Sequence, residues 1–87
     1  MKVIAKPIQM IAWFTEEGTP KPIRFRICNE DDTYSVIKID RIICSNLEKL
    51  AGNPMLIFKC QSIIKGVERV YELKYELNSC KWILFKM

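Results

Sequence analysis

The sequence predicts an all-β domain in which antiparallel strands form a small curled sheet or a barrel. The clearest observation is the stretch from Tyr71 to Leu77, where apolar residues occupy every second position and charged residues lie between them. A period of two indicates a strand with one buried face. The turn sequences Lys65-Gly66 and Asn78-Ser79 flank this strand. Together they predict a three-stranded antiparallel meander.

The two turns specify the register of this meander independently. Pairing outward from Lys65-Gly66 sets Phe58 against Leu73 and Lys59 against Glu72. If Asn78 and Ser79 are the two loop residues, Leu77 faces Cys80 and Tyr75 faces Trp82. A slip of one residue in either register would mix apolar and charged side chains on one face. The expected buried face consists of Leu56, Phe58, Cys60, Tyr71, Leu73, Tyr75, Trp82 and Leu84.

The first half of the chain is also typical of strands. Residues 8–14 are largely apolar on both faces, and Ile23, Phe25 and Ile27 alternate with Arg24, Arg26 and Cys28. Residues 34–44 are rich in β-branched side chains, but Arg41 interrupts their apolar row. A β-bulge near Asp40-Arg41 would account for the interruption and is expected where a sheet curls.

The segment 46–51 is the only candidate for helix, because Ser45 or Asn46 could cap it and Gly52 could end it. At most one short helical turn is expected there. The result is a single domain, residues 1–87, of about six antiparallel strands. An SH3-like or similar barrel is favoured over a sheet packed on a short helix, because a barrel removes most strand edges.

Length and composition favour a folded domain with no membrane partner. The chain has 87 residues, 49% of them hydrophobic, with a mean hydropathy of +0.01. Such a chain can bury a modest core. No apolar run approaches the ~18 residues that a membrane span requires. Lys6 and Pro7 interrupt the apolar start of the chain, which argues against a signal peptide and favours a cytoplasmic location.

The four cysteines are Cys28, Cys44, Cys60 and Cys80, and they lie far apart in the sequence. Structural zinc sites usually draw their ligands from close pairs, and this chain has neither a Cys-x-x-Cys pair nor a histidine. Disulfides and a metal site remain alternatives. Free thiols packed as small apolar side chains are the preferred interpretation, since they suit a reducing compartment. No metal or other cofactor is expected.

Signs of catalysis are nearly absent from the sequence. Without histidine there is no Ser-His or Cys-His activation and no imidazole base near neutral pH. The acidic residues cluster in loops or alternate with lysines along a strand, as on a solvated face. The three glycines are scattered, so no phosphate-binding loop is formed. We therefore expect a binding domain that is not an enzyme and has no catalytic residues.

Charge points to nucleic acid as the leading partner. The net charge is +4, and acidic residues gather at positions 16–17 and 30–32, which leaves a more basic remainder. Small β-barrels bind single strands through basic grooves and exposed aromatic side chains. The candidate phosphate contacts are Lys21, Arg24, Arg26, Lys38 and Arg41, and the candidate stacking side chains are Trp13 and Tyr34.

A protein partner or a homodimer is the alternative. The face opposite the expected core carries an apolar row of Ile57, Ile83, Phe85 and Met87. If this row is uncovered, it could serve as a contact surface. The strand of residues 8–14 could instead pack over the row, because a doubly apolar strand requires cover itself.

Two parts of the sequence carry a resemblance. The start, Pro7 to Phe14 and Pro22 to Arg26, and the end, Tyr71 to Phe85, resemble segments of small bacterial all-β proteins to which no activity is assigned. The resemblance implies a similar all-β fold. It brings no functional residue to this chain.

Overall fold

The computed structural model describes all of residues 1–87 and contains strands and turns but no helix. The strands are β1 (Val3–Phe14), β2 (Pro20–Cys28), β3 (Tyr34–Lys38), β4 (Arg41–Leu50), β5 (Asn53–Ile64), β6 (Val67–Glu76) and β7 (Lys81–Lys86). They form one antiparallel sheet in the order β3-β2-β1-β7-β6-β5-β4. This sheet curls strongly into a half-barrel, which confirms the predicted all-β class. No helix in it is long and apolar enough to span a membrane.

The predicted meander is formed by β5, β6 and β7 with the expected registers. Phe58 pairs with Leu73, and Tyr75 pairs with Trp82. The loop after β6 is longer than predicted, because Leu77 and Cys80 belong to it instead of pairing across the hairpin. Cys80 adopts a φ of 57° and donates its backbone N–H to the carbonyl of Glu76 at 2.8 Å. This left-handed residue closes the longer loop.

The concave side of the half-barrel holds the core. Tyr71 and Leu73 are fully buried on β6, and the expected inner face of the meander packs around them. Phe25 of β2 approaches Tyr71 edge-on, with ring centroids 5.7 Å apart. Ile37 of β3 belongs to the same cluster. Curling therefore brings β2 and β3 over the meander without a second layer.

The segment 34–44 is not one strand, and the sheet consequently has seven strands instead of about six. β3 ends at Lys38, and the chain turns a corner at Ile39-Asp40 before β4 begins. The amide of Ile39 donates to the carbonyl of Ile23, and that of Asp40 donates to the carbonyl of Gln61. The corner thus bridges the two edges of the sheet and closes the half-barrel at one end. The register shift expected near Asp40-Arg41 lies instead between Ile42 and Cys44.

The expectation of a helical turn at residues 46–51 is wrong. Residues up to Leu50 belong to β4, where Leu47 pairs with Leu56. Ala51 and Gly52 form the turn to β5 with φ values of 51° and 75°. Two successive left-handed residues make a tight hairpin turn of the kind that matches strand twist. Gly52 therefore serves a hairpin and does not end a helix.

Candidate nucleic-acid interface

The convex side of β1, β2 and β3 presents most of the basic residues singled out in the sequence. Phe25 is buried in the core, so its neighbours Arg24 and Arg26 lie on the opposite, exposed side of β2. Arg24 pairs with Lys38 of β3, and Arg26 pairs with Val36. The three strands thus place these cations in adjacent rows of one surface.

Trp13 and Lys21 extend this surface toward one end of β2. A register shift between Ile11 and Ala12 accommodates Ile23 as an extra residue, and Trp13 then pairs with Lys21. The side chain of Trp13 is 74% exposed, the largest exposed fraction of any large apolar residue. Trp82, the other tryptophan, is buried in the core.

Tyr34 extends the surface toward the other end of β2, where it pairs with Cys28. The Cζ atom of Arg26 lies 4.2 Å from the centre of the Tyr34 ring. The cationic face is hereafter the set Trp13, Lys21, Arg24, Arg26, Tyr34 and Lys38. Arg41 does not belong to it, because Arg41 lies beyond the corner and pairs with Gln61 of β5.

No carboxylate neutralises the cationic face. β1, β2 and β3 contain no aspartate or glutamate. The structure has one salt bridge, between Lys74 and Glu48 of the other half of the sheet. Every cation of the face is therefore free of an ion pair and available to an anionic ligand.

Five of the ten acidic residues lie in the turns at the two ends of β2, within residues 15–19 and 29–33. Asp31 accepts hydrogen bonds from both the backbone N–H and the hydroxyl of Thr33. These bonds favour the ionised carboxylate and hold the pKa of Asp31 below its usual value. A polyanion would be repelled from both ends of β2, so the favourable path lies over the middle of β1, β2 and β3.

Arg26 is held in place before any ligand binds. Its Nε donates to Oε1 of Gln9 at 2.6 Å, and its guanidinium stacks on Tyr34. The remaining guanidinium N–H groups keep their donor capacity for a phosphate. Stacking also occupies one face of the Tyr34 ring, which leaves the largely exposed indole of Trp13 as the more open stacking surface.

Two exposed apolar side chains on this surface were not singled out from the sequence. Ile11 is 53% exposed and Val36 is 66% exposed, and each pairs with one of the face's arginines. In the sequence, Ile11 lies two positions from Trp13 and Val36 lies two positions from Tyr34, which places each pair on one face of its strand. This spacing did not show which face of β1 is exposed, because residues 8–14 carry apolar side chains on both faces.

The apolar row proposed as an alternative interface is largely covered. Ile57 is only 8% exposed. Nζ of Lys74 lies 3.7 Å from the centre of the Phe85 ring and 3.2 Å from a carboxylate oxygen of Glu48. Met87 packs against the core cluster, because a register shift near the end of β7 changes its side.

The N-terminal strand does not provide that cover. β1 lies within the sheet between β2 and β7, so it is beside the row and not over it. Pro7 of β1 pairs with Ile83, a member of the row. Ile83 itself is half-buried. Lys74 of β6 pairs with both Ile57 and Ile83, and its aliphatic stem therefore shields the middle of the row.

All four cysteines are free. Cys60 is buried in the core, and desolvation raises the pKa of its thiol to about 12. Cys44 and Cys80 are exposed. No three cysteine or acidic side chains come close enough together to hold a metal ion.

No protein-family model, curated protein or solved structure matches this chain at a significant level.

Proposed function

We propose that this protein is a non-catalytic cytoplasmic binding domain that contacts nucleic acid through its cationic face. The observation that carries the proposal is the collection of unpaired cations and exposed aromatic rings on three strands that lack any acidic residue. Phosphates would displace counterions at the cations, and bases would stack on aromatic rings. Four free thiols accord with a reducing compartment.

The test is a pair of matched charge reversals. Arg24→Glu with Arg26→Glu places two negative charges in the centre of the face. We expect fluorescence anisotropy at low salt to show a loss of affinity for a labelled oligonucleotide of well over tenfold, because contacts are lost and repulsion is added.

The control has the same net charge at a distant site. Lys65→Glu with Arg69→Glu changes exposed residues at the β5–β6 hairpin. This variant should retain most of the wild-type affinity. Equal losses in both variants would mean that only total charge matters, which contradicts a defined face.

A homodimer is the second candidate, and the structure favours β4 for it over the covered row that includes Phe85. β4 pairs with β5 on one side only, and its other edge is open. Leu47 is 49% exposed and Leu50 is 64% exposed. An open strand edge with apolar side chains is a site for strand addition.

Antiparallel pairing of two β4 strands about Leu47 would be self-complementary. It would set Asn46 against Glu48 of the second copy and Ser45 against Lys49, so no like charges would face each other. Light scattering during size-exclusion chromatography at micromolar concentration should then give a dimer mass. Leu47→Lys should give a monomer, whereas Leu77→Lys in the β6–β7 loop should not. A monomeric wild-type protein would contradict this candidate.

A further inference from the structure

The centre of the cationic face contains a depression of about 450 Å³ over β2. Arg24 and Arg26 lie at its two ends along the strand, while Ile11 of β1 and Val36 of β3 line its two sides. Gln9, Met10 and Phe25 also line it. The depression therefore combines apolar walls with a guanidinium group at either end.

This combination fits a flat ring that is joined to anionic groups. The aliphatic walls can contact the faces of a ring, and the two guanidinium groups can each contact a phosphate. Oε1 of Gln9 accepts a hydrogen bond from Arg26, which leaves the amide NH₂ of Gln9 free to donate to an acceptor on the ring edge. A nucleobase with its flanking phosphates has all of these features.

We propose that the depression seats one unpaired base of a single strand, with Arg24 and Arg26 on the phosphates at either side. This inference rests on the proposed nucleic-acid function. In a duplex the faces of each base are stacked on neighbours, so a paired base cannot enter the depression. The protein therefore selects single-stranded over double-stranded nucleic acid.

A second, smaller depression lies next to the first, toward Tyr34. It has a volume of about 240 Å³ and shares Gln9 and Arg26 with the first, while Cys28 and Tyr34 line its far side. The Arg26–Gln9 pair thus separates two adjacent depressions. A neighbouring base would lie there, against Tyr34.

The first experiment compares three probes at one low salt concentration by fluorescence anisotropy. They are a short single-stranded DNA, a chain of the same length made of abasic residues, and the duplex of the same sequence. The three probes carry phosphates but differ in whether an unpaired base is present. Stacking of a single base predicts on the order of tenfold tighter binding of the normal strand than of the abasic chain. The duplex should also bind more weakly than the normal strand.

The outcomes separate this inference from the function on which it rests. Equal affinity for normal and abasic strands, or tighter binding of the duplex, would overturn the base site but leave phosphate binding intact. No binding of any probe at low salt would overturn the proposed function and the base site together.

Matched variants then locate the base. Ile11→Ala with Val36→Ala removes the apolar walls without changing charge, and Ile63→Ala with Val67→Ala makes the same chemical change at exposed positions of the β5–β6 hairpin. The first variant should lose a clear share of the preference for the normal strand, although Trp13 and Tyr34 can still stack on other bases. The control should keep the full preference. An undiminished preference in both variants would overturn the assignment to this depression.

Discussion

Among individual residues, Ser62 connects the two halves of the sheet. Its hydroxyl donates to the backbone carbonyl of Lys38 at 2.6 Å, and Tyr71 lies 2.5 Å from the same oxygen. Because Ser62 has one proton and gives it to Lys38, the hydroxyl of Tyr71 is the donor to Ser62. Ser62 and Tyr71 are both fully buried. This chain of hydrogen bonds holds the end of β3 against β5 and β6.

Removing the hydroxyl of Ser62 and removing that of Tyr71 should have different effects on stability. Ser62→Ala leaves the buried hydroxyl of Tyr71 without an acceptor and should lower the free energy of unfolding by about 1–3 kcal/mol. Tyr71→Phe removes a donor but leaves the Ser62–Lys38 bond, so a loss of about 1 kcal/mol is expected. Urea denaturation measures both. A larger loss for Tyr71→Phe than for Ser62→Ala would contradict the direction of the hydrogen bonds.

Two buried groups that ionise at alkaline pH, the thiol of Cys60 and the hydroxyl of Tyr71, should make the protein less stable there. Burial raises the pKa of Cys60 from 9.0 and that of Tyr71 from 10.0, in both cases to about 12. The unfolded chain therefore loses these protons at lower pH than the folded protein does. Their contribution is fully present below pH 9 and is lost as the pH rises toward 12.

The measurement is the urea midpoint at several pH values from 8 to about 11, within the window those pKa values define. Wild-type stability should fall with rising pH, and the fall should be smaller in Cys60→Ala. Cys28→Ala, at a half-buried position of β2, is the control and should show the wild-type dependence. A Cys60→Ala protein with an unchanged pH dependence would contradict the effect of burial.

At the scale of elements, two hairpins use the same turn geometry. Ala51-Gly52 and Lys65-Gly66 both have positive φ at each of the two central residues. Asparagine tolerates this conformation better than alanine or lysine, and Asn-Gly is the preferred pair for such turns. Ala51→Asn and Lys65→Asn should therefore each stabilise the protein, by about 1 kcal/mol or less, since asparagine relieves part of the left-handed strain.

Thermal denaturation of the two turn variants tests this account. Both melting temperatures should rise, and changing the exposed Lys81 at the start of β7 to asparagine should not raise it. A decrease for Lys65→Asn or Ala51→Asn would show that the turn does not hold the left-handed conformation.

The same two turns show how far the sequence could predict the elements. Lys65-Gly66 lies between strands that alternate clearly, so the hairpin and its register could be predicted. Ala51-Gly52 follows β4, where Cys44, Asn46 and Glu48 share the outer face and no apolar alternation marks a strand. An edge strand with little burial need not alternate, and residues 46–51 therefore resembled a capped helical turn.

At the scale of the whole molecule, pairings between distant segments determine both the fold and the site. The pairing of β1 with β7 and the corner at Ile39-Asp40 join residues far apart in sequence, and no local pattern specifies either. The cationic face was more accessible to prediction, because alternation in β2 already separated Arg24 and Arg26 from Phe25. Only the position of β1 beside β2 shows that Trp13 and Ile11 belong to the same surface.

The curled shape also explains why Arg41 is separated from the other candidate cations. Lys38 and Arg41 are close in sequence, but the corner between them sends one to each edge of the sheet. Arg41→Glu should therefore weaken oligonucleotide binding less than Arg24→Glu in the same anisotropy assay. A larger effect at Arg41 would place the nucleic acid across the corner and not over β1, β2 and β3.

Phosphates are proposed to bind the cations of this face, and the salt dependence of binding is the decisive test of that proposal. The measurement is the dissociation constant of a single-stranded oligonucleotide over a series of salt concentrations. If Lys21, Arg24, Arg26 and Lys38 each release a counterion, log affinity should fall against log salt with a slope of about −2 to −3. Arg24→Glu with Arg26→Glu should make this slope clearly shallower. Affinity that does not change with salt, or no binding at the lowest salt, would contradict the claim.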